Sequence, residues 1–231
     1  MSTQLTGISS MATRTVLAEV VQDYERLSGQ PVAVKSVGGV EAARRVESGD
    51  GFDFVVLAAD VIDRLEAAGH VVSGSRVDVA RSGVAIAVVA GAPRPDVGSE
   101  AALRDAVLAA RSIGYSTGPS GAHLTRLFER WGIADVVAPR IVQAPPGVPV
   151  GALVARRDVE LGFQQLSELM HLPGIDVIGP MPADVQIVTV FSAGICVASA
   201  QKDAAKAFLS FLASSQCDQA KLNQGMEPAV R

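Results

Sequence analysis

The 231 residues carry 24 acidic and 20 basic side chains, a formal charge of −4, and are 48% hydrophobic and 19% charged. That balance is too apolar and too weakly charged for a disordered chain, and it offers no basic footprint for nucleic acid or an anionic membrane. The longest apolar stretches, such as Val84 to Ala90, are less than half the roughly 20 residues of a bilayer span, so no membrane insertion is expected. Aromatics make up only 4%, which points to a core of Val, Ala, Leu and Ile in α/β layers. Cys196 lies in an apolar strand-like run and Cys217 in a late helical segment, with no CxxC pattern, so two buried thiols are expected. The N-terminus shows no basic region followed by an apolar stretch and a cleavage site. The expectation is a cytoplasmic protein if Met1 is the native start, and a periplasmic one if Met1 replaces an export signal.

In chain order, Gln4 to Ile8 reads as a strand and Ser9-Ser10 precede a helix with apolar positions Val16, Leu17, Val20, Val21, Tyr24 and Leu27, ending at Gly29. Pro31 to Ser36 is a second strand, Gly38-Gly39 a turn, and Glu41 to Ser48 a second helix. Asp53 to Leu57 is a continuously apolar strand and Val61 to Ala68 a third helix. Such βαβ units imply a parallel sheet covered on both faces. A long strand, Gly83 to Ala90, leads to the loop Gly91 to Ser99, whose prolines and glycines mark a boundary. The pattern then restarts. It runs through helix Glu100 to Ala110, strand Ser112 to Tyr115, loop STGPSGA, helix His123 to Trp131 and strand Ile141 to Gln143. Helix Val148 to Arg156 and strands Glu160 to Gln164, Asp176 to Ile178 and Val185 to Val197 follow, then two closing helices. The fold class expected is α/β, with two Rossmann-like lobes of parallel-rich sheet joined by a two-strand hinge. Residues 1–83 with 192–231 would form one lobe and 84–191 the other, with a ligand cleft between them.

In parallel α/β sheets, ligands bind outside the carboxyl ends of strands, where helix N-termini present unpaired N–H groups. Four such places stand out: Ser9-Ser10, Gly38-Gly39-Val40, Ser116 to Gly121, and Pro145-Pro146-Gly147. Small residues admit close backbone approach and serine hydroxyls add donors, so together these loops read as an anion cradle. Arg81 can pair with a carboxylate bidentately. His123 can donate to an anion or act as an acid or base. Gln164 and Gln165 end a strand, where successive side chains point to opposite faces, one to the ligand and one to the sheet. Arg44-Arg45 and Arg156-Arg157 read as solvated helix faces. There is no P-loop, GxGxxG, GxSxG or HExxH motif and no clustered metal ligands, so neither a cofactor nor a metal is expected.

The order of these elements resembles the type II periplasmic solute-binding protein superfamily, specifically the molybdate-binding-like branch of ABC-transporter receptors. The resemblance spans nearly the whole chain. It is carried by ISSMATRTVLAEVVQDYERLSG (Ile8 to Gly29), ARSGVAIAVVAGAPRPD (Ala80 to Asp96), ARSIGYSTGPSGAHLTRLFERWGI (Ala110 to Ile133), ELGFQQLSEL (Glu160 to Leu169) and GMEPA (Gly225 to Ala229). It implies two lobes, an oxyanion held by neutral donors, and an ABC permease as partner. Carried over by position, the first serine site falls on Ser9 or Ser10. The second, a serine in molybdate binders, falls on Gly38-Gly39-Val40. The backbone sites fall near Ser120-Gly121 and Gly147. The position of the closing tyrosine falls on Gln164 or Gln165. Two side-chain donors thus differ, and each hydrogen bond to a charged group is worth ~1.5–3 kcal/mol, so a wider carboxylate ligand is preferred over molybdate. The same branch includes isomerases of unsaturated tricarboxylic acids such as aconitate isomerase.

Three functional expectations follow. The first is a solute-binding protein closing over a small anion, an organic di- or tricarboxylate by preference, a molybdate-type oxyanion otherwise. Fixed N–H dipoles rather than net charge would stabilise that anion. The second is a cofactor-free isomerase moving a proton along an allylic acid, with His123 and then Tyr115 as candidate acid/base groups. The third is an effector-sensing domain of a LysR-type regulator, disfavoured because the chain starts directly with a strand rather than a helix-turn-helix.

Overall fold

The computed structural model describes residues 3–145 and 147–229. The chain forms two compact units, one made of the chain up to Ser82 together with the chain from Thr189, the other of Gly83–Val188. It therefore passes from one unit to the other twice.

The first unit opens with β1 (Leu5–Ser10), α1 (Arg14–Ser28), β2 (Val32–Val37), α2 (Gly39–Glu47), β3 (Phe54–Ala58), α3 (Ala59–Ala67) and the first half of β4 (Val77–Val89). The second contains the rest of β4, then α4 (Glu100–Ala109), β5 (Ile113–Tyr115), α5 (Pro119–Arg130), α6 (Ala134–Val137), β6 (Ile141–Gln143) and α7 (Val150–Ala155). It continues with β7 (Leu161–Gln165), α8 (Leu166–Leu169) and β8 (Ile175–Pro180). The first unit is completed by β9 (Val188–Ile195), α9 (Lys202–Ala213), α10 (Asp218–Asn223) and β10 (Glu227–Pro228).

In the first unit, β1 lies between β2 and β3, parallel to both, and β9 runs antiparallel along β3. Phe54 and Val56 pack with α1 and α9, while Val55 and Leu57 pack with α2 and α3. Helices cover both faces, so β3 is buried from end to end, and this is why it reads as an uninterrupted apolar run. α1 buries Val16, Leu17, Val20 and Tyr24 and stops at Gly29, whose left-handed φ of 69° suits a residue without Cβ. Leu27, expected to continue this face, is exposed in the last turn.

Asp53 ties the two ends of this unit together. Its carboxylate accepts from the Thr6 N–H (2.8 Å), the Thr6 hydroxyl (3.1 Å), the Ser199 hydroxyl (2.6 Å) and the Gln201 amide (3.3 Å). Asp53→Asn puts an NH2 against these donors, two of which, the Thr6 N–H and the Ser199 hydroxyl, have no other acceptor among the described residues, and should cost about 1–3 kcal/mol. Urea denaturation of the two proteins measures it; equal midpoints would show the network to be dispensable.

The second unit repeats the pattern. β5 lies between β6 and β7, parallel to both, and β4 runs antiparallel to β7 and β8. α4 and α5 pack on Ile113, Leu161 and Phe163. On the other face α7 comes close to the sheet because Gly114 and Gly162 carry no side chain. A Cβ there would lie 3.1 Å from Val150 and 2.6 Å from Val154 of that helix respectively.

Several boundaries differ from those read in the sequence. β1 extends through Ser10 because Ser9 and Ser10 pair with Ser36 and Val37 of β2. α5 begins at Pro119, which draws Ser120 and Gly121 into its first turn, and α7 begins at Val150 rather than Val148. The strand expected over Val185 to Val197 is shorter, since Ala183–Val185 form a 3-10 turn before it.

Candidate functional site

Both units place a central strand between neighbours reached by connections on opposite sheet faces, so each has a topological switch point at its carboxyl edge, where α/β sheets hold ligands. In the first unit that edge carries Ser9 and Ser10. The Ser9 hydroxyl shares a 2.8 Å hydrogen bond with the Ser36 hydroxyl opposite it and also lies 3.2 Å from the Ser10 carbonyl. Ser9 thus knits β1 to β2. Ser10 points to the other face. Its hydroxyl oxygen is buried and makes no hydrogen bond among the described residues, while its carbonyl accepts from the Thr13 hydroxyl at 3.2 Å. A buried polar atom without a partner costs free energy unless something else supplies the bond.

Gly39 opens α2 beside this hydroxyl. A Cβ on Gly39 would sit 3.9 Å from the Ser10 Cβ and 4.0 Å from Leu57, ordinary contact distances, and its φ is not in the left-handed region. Neither backbone strain nor crowding requires glycine there. The preceding Gly38 caps the helix without a side-chain acceptor, and Val40 is 71% exposed. Arg81, paired in register with Glu227 of β10, is partly buried and makes no ion pair or side-chain hydrogen bond among the described residues.

In the second unit, Tyr115 ends β5 as Ser9 nearly ends β1: Tyr115 stands beside Phe163 in the parallel ladder, as Ser9 stands beside Val56. The Ser116 hydroxyl accepts from the Gly118 N–H at 3.4 Å. Gly121 is a forced glycine, because a Cβ would fall 1.9 Å from the Ser116 carbonyl and 2.9 Å from the Tyr115 ring. Ser120 is buried, and its hydroxyl bonds to no described residue.

Two expected donors are changed by the geometry. Gly147 does not start a helix. It is an exposed turn residue with φ 78°, next to Pro146, which lies outside the described residues. The first N–H of α7 is already taken, since Val150 donates to the Gln164 side-chain oxygen at 2.7 Å. This helix start is capped by the protein's own amide, and a six-residue helix has little dipole to offer. Gln165 is buried on the opposite face of β7.

His123 is exposed on α5, and the Tyr115 hydroxyl accepts from Thr125 at 3.4 Å. Both thiols are unpaired by any disulfide and buried, which pushes Cys196 up to about 12 and Cys217 up to about 11, so neither is a nucleophile near neutral pH. Arg44 pairs with Glu41 and Arg156 with Asp158, as solvated faces do, whereas Arg45, paired with Asp50, is partly buried and lies over the Phe52 ring.

One residue escaped the sequence reading. Glu168, in α8, is largely enclosed by protein, and that burial pushes its carboxyl up to about 7, opposed only by a hydrogen bond from Gln164. In the phrase ELGFQQLSEL it looks like an ordinary surface glutamate, and no spacing signal sets it apart.

Residues 5–227 match the model of the bacterial extracellular solute-binding protein family. The chain belongs to that family. The solute-binding chain is 36% identical over 234 residues to an aconitate isomerase from a Pseudomonas species, covering 98% of this chain and 88% of that enzyme. Its fold is shared with the periplasmic molybdate-binding protein of Azotobacter vinelandii, at TM-score 0.80 and 20% identity over 98% and 99% of the two chains. It is shared also with the sulfate-binding protein of Mycobacterium tuberculosis, at TM-score 0.77 and 16% identity over 98% and 87%. The family expected from the quoted phrases is the family found. No described helix is long and apolar enough to cross a membrane.

Proposed function

We propose that this solute-binding protein holds a small organic di- or tricarboxylate, with the Ser10 hydroxyl as its central neutral donor. The observation that carries the reading is that this hydroxyl is buried, sits at a switch point, and has no partner among the described residues. Arg81, without an ion pair among the described residues, supplies a carboxylate partner of matching fork geometry. Gly39 leaves room beside Ser10 where a second hydroxyl would suit a compact tetrahedral oxyanion, which favours a larger, flatter anion. In this reading Ser120 and the α5 start are the donors that the second unit offers an anion, and an ABC permease receives the ligand.

Thermal shift against cis- and trans-aconitate, citrate, molybdate, tungstate and sulfate tests the ligand class. A ligand at ~100 times its Kd stabilises by about 2.7 kcal/mol. Stabilisation by molybdate alone would overturn the carboxylate preference. Ser10→Ala should weaken binding of the responding acid about 10- to 150-fold, the worth of a hydrogen bond to a charged group. Its unliganded stability should not fall, because the hydroxyl removed makes no bond to any described residue. Unchanged affinity would remove Ser10 from the site.

A second reading, isomerisation of an unsaturated tricarboxylic acid, is favoured by the 36% identity to an aconitate isomerase over nearly the whole chain. Following the responding acid by proton NMR during long incubation separates the two: interconversion supports the isomerase, and an unchanged spectrum supports binding alone.

A further inference from the structure

Glu168 is placed by a short relay. The Val150 N–H, at the start of α7, donates to the Gln164 side-chain oxygen at 2.7 Å, which leaves the Gln164 NH2 to donate to the Glu168 carboxyl. Gln164 is 2% exposed, so this amide has little freedom to swing away. Glu168 lies three residues beyond the carboxyl end of β7, the strand beside β5 in the second switch point. Its side chain keeps a partly exposed edge, and no charged group among the described residues contributes to its ionisation. An enclosed carboxyl with one fixed amide donor, no cation and an open edge has no structural task comparable to that of Asp53, whose carboxylate is taken up by four donors.

We propose that Glu168 is the proton-transfer residue of this protein, acting on an unsaturated polycarboxylic acid as a single base that takes a proton from one carbon and returns it two carbons away. The proposal rests on the isomerase reading above. As the C–H bond breaks, its proton goes to the Glu168 carboxylate. Its electron pair forms the new C=C bond while the old π pair moves to the far carbon, delocalised into the adjacent carboxylate. That carbon then takes the proton back from Glu168. Atoms and electrons balance with no oxidant, reductant or cofactor. A carboxyl that burial raises to about 7 is matched to both halves of the step near neutral pH. The groups first expected here fit less well, since His123 is exposed and the Tyr115 hydroxyl is engaged with Thr125.

The test compares wild-type protein with Glu168→Gln and Glu168→Asp, using cis- and trans-aconitate as probes, with thermal shift for binding and proton NMR for interconversion. Glu168→Gln should lower kcat about 10²- to 10⁴-fold, the usual contribution of a positioned acid/base, while the stabilisation produced by the acid persists. Glu168→Asp should recover part of the rate, and the acid limb of wild-type kcat/KM should move in that variant. Wild-type turnover with an undiminished rate in Glu168→Gln overturns the assignment of Glu168 and leaves the isomerase reading standing. Wild-type binding without interconversion overturns the proton transfer and leaves the binding reading standing. Absence of both binding and interconversion for every acid overturns the site reading itself.

Discussion

Replacing Glu168 by glutamine is expected to stabilise the protein by about 3 kcal/mol above pH 7 and to leave its stability unchanged below pH 4.5. Burial moves this carboxyl from its ordinary 4.5 up to about 7. Between those values the folded protein retains a proton that the unfolded chain has released, so native stability falls as pH rises through the window. At ~1.4 kcal/mol per pH unit the full cost is about 3 kcal/mol, reached once the folded carboxyl ionises. Glutamine has the same shape, still accepts from Gln164, and never acquires the charge. Denaturant unfolding of both proteins from pH 4 to 8 should give curves that coincide at the acid end and separate steadily toward neutrality. A constant gap across that range would mean that the carboxyl is not desolvated. A natural protein that keeps a group costing this much at neutral pH departs from the stability optimum at one residue, as functional residues do.

Phe208→Ala should destabilise the first unit by about 3–5 kcal/mol, the usual cost of deleting a buried aromatic ring. Phe208 is fully buried, edge-on to Tyr24 at 5.1 Å and tilted against Phe54 at 4.9 Å. It carries α9 onto β3 and α1, and so attaches the end of the chain to the strands at its beginning. In a chain with 7 Phe, 1 Trp and 2 Tyr, four aromatic rings, those of Tyr24, Phe54, Phe208 and Phe211, gather in this one cluster. Urea unfolding monitored at Tyr24 measures the loss, with Phe208→Leu expected to restore much of it. Less than about 1 kcal/mol would mean that the neighbours collapse into the space.

Composition correctly pointed to an aliphatic α/β core, but it did not show that four of the rings would gather at one place in the first unit. The same division holds for the site. Ser9 and Ser10 are indistinguishable as neighbouring hydroxyls in the sequence. Pairing separates them, because β1 continues two residues further than its apolar pattern, which turns Ser9 toward Ser36 and Ser10 to the opposite face. Gly39 and Gly121 look alike as loop glycines, yet one is free of steric demand and the other would drive a Cβ into a carbonyl.

The sequence by itself determined the alternation of strands and helices, the restart of the pattern after Gly91 and the family, because these depend on periodicity, turn residues and extended phrases that are local in the chain. Which polar groups are already satisfied was decided only by tertiary structure. Gln164 occupies the helix start at Val150, Ser36 occupies Ser9, and the carboxyl of Glu168 is enclosed although its sequence surroundings are those of a surface residue. Hydrogen-bond satisfaction and desolvation are set by what the fold brings within about 3 Å and by how much water it removes. Neither quantity has a period or a spacing to be read along the chain.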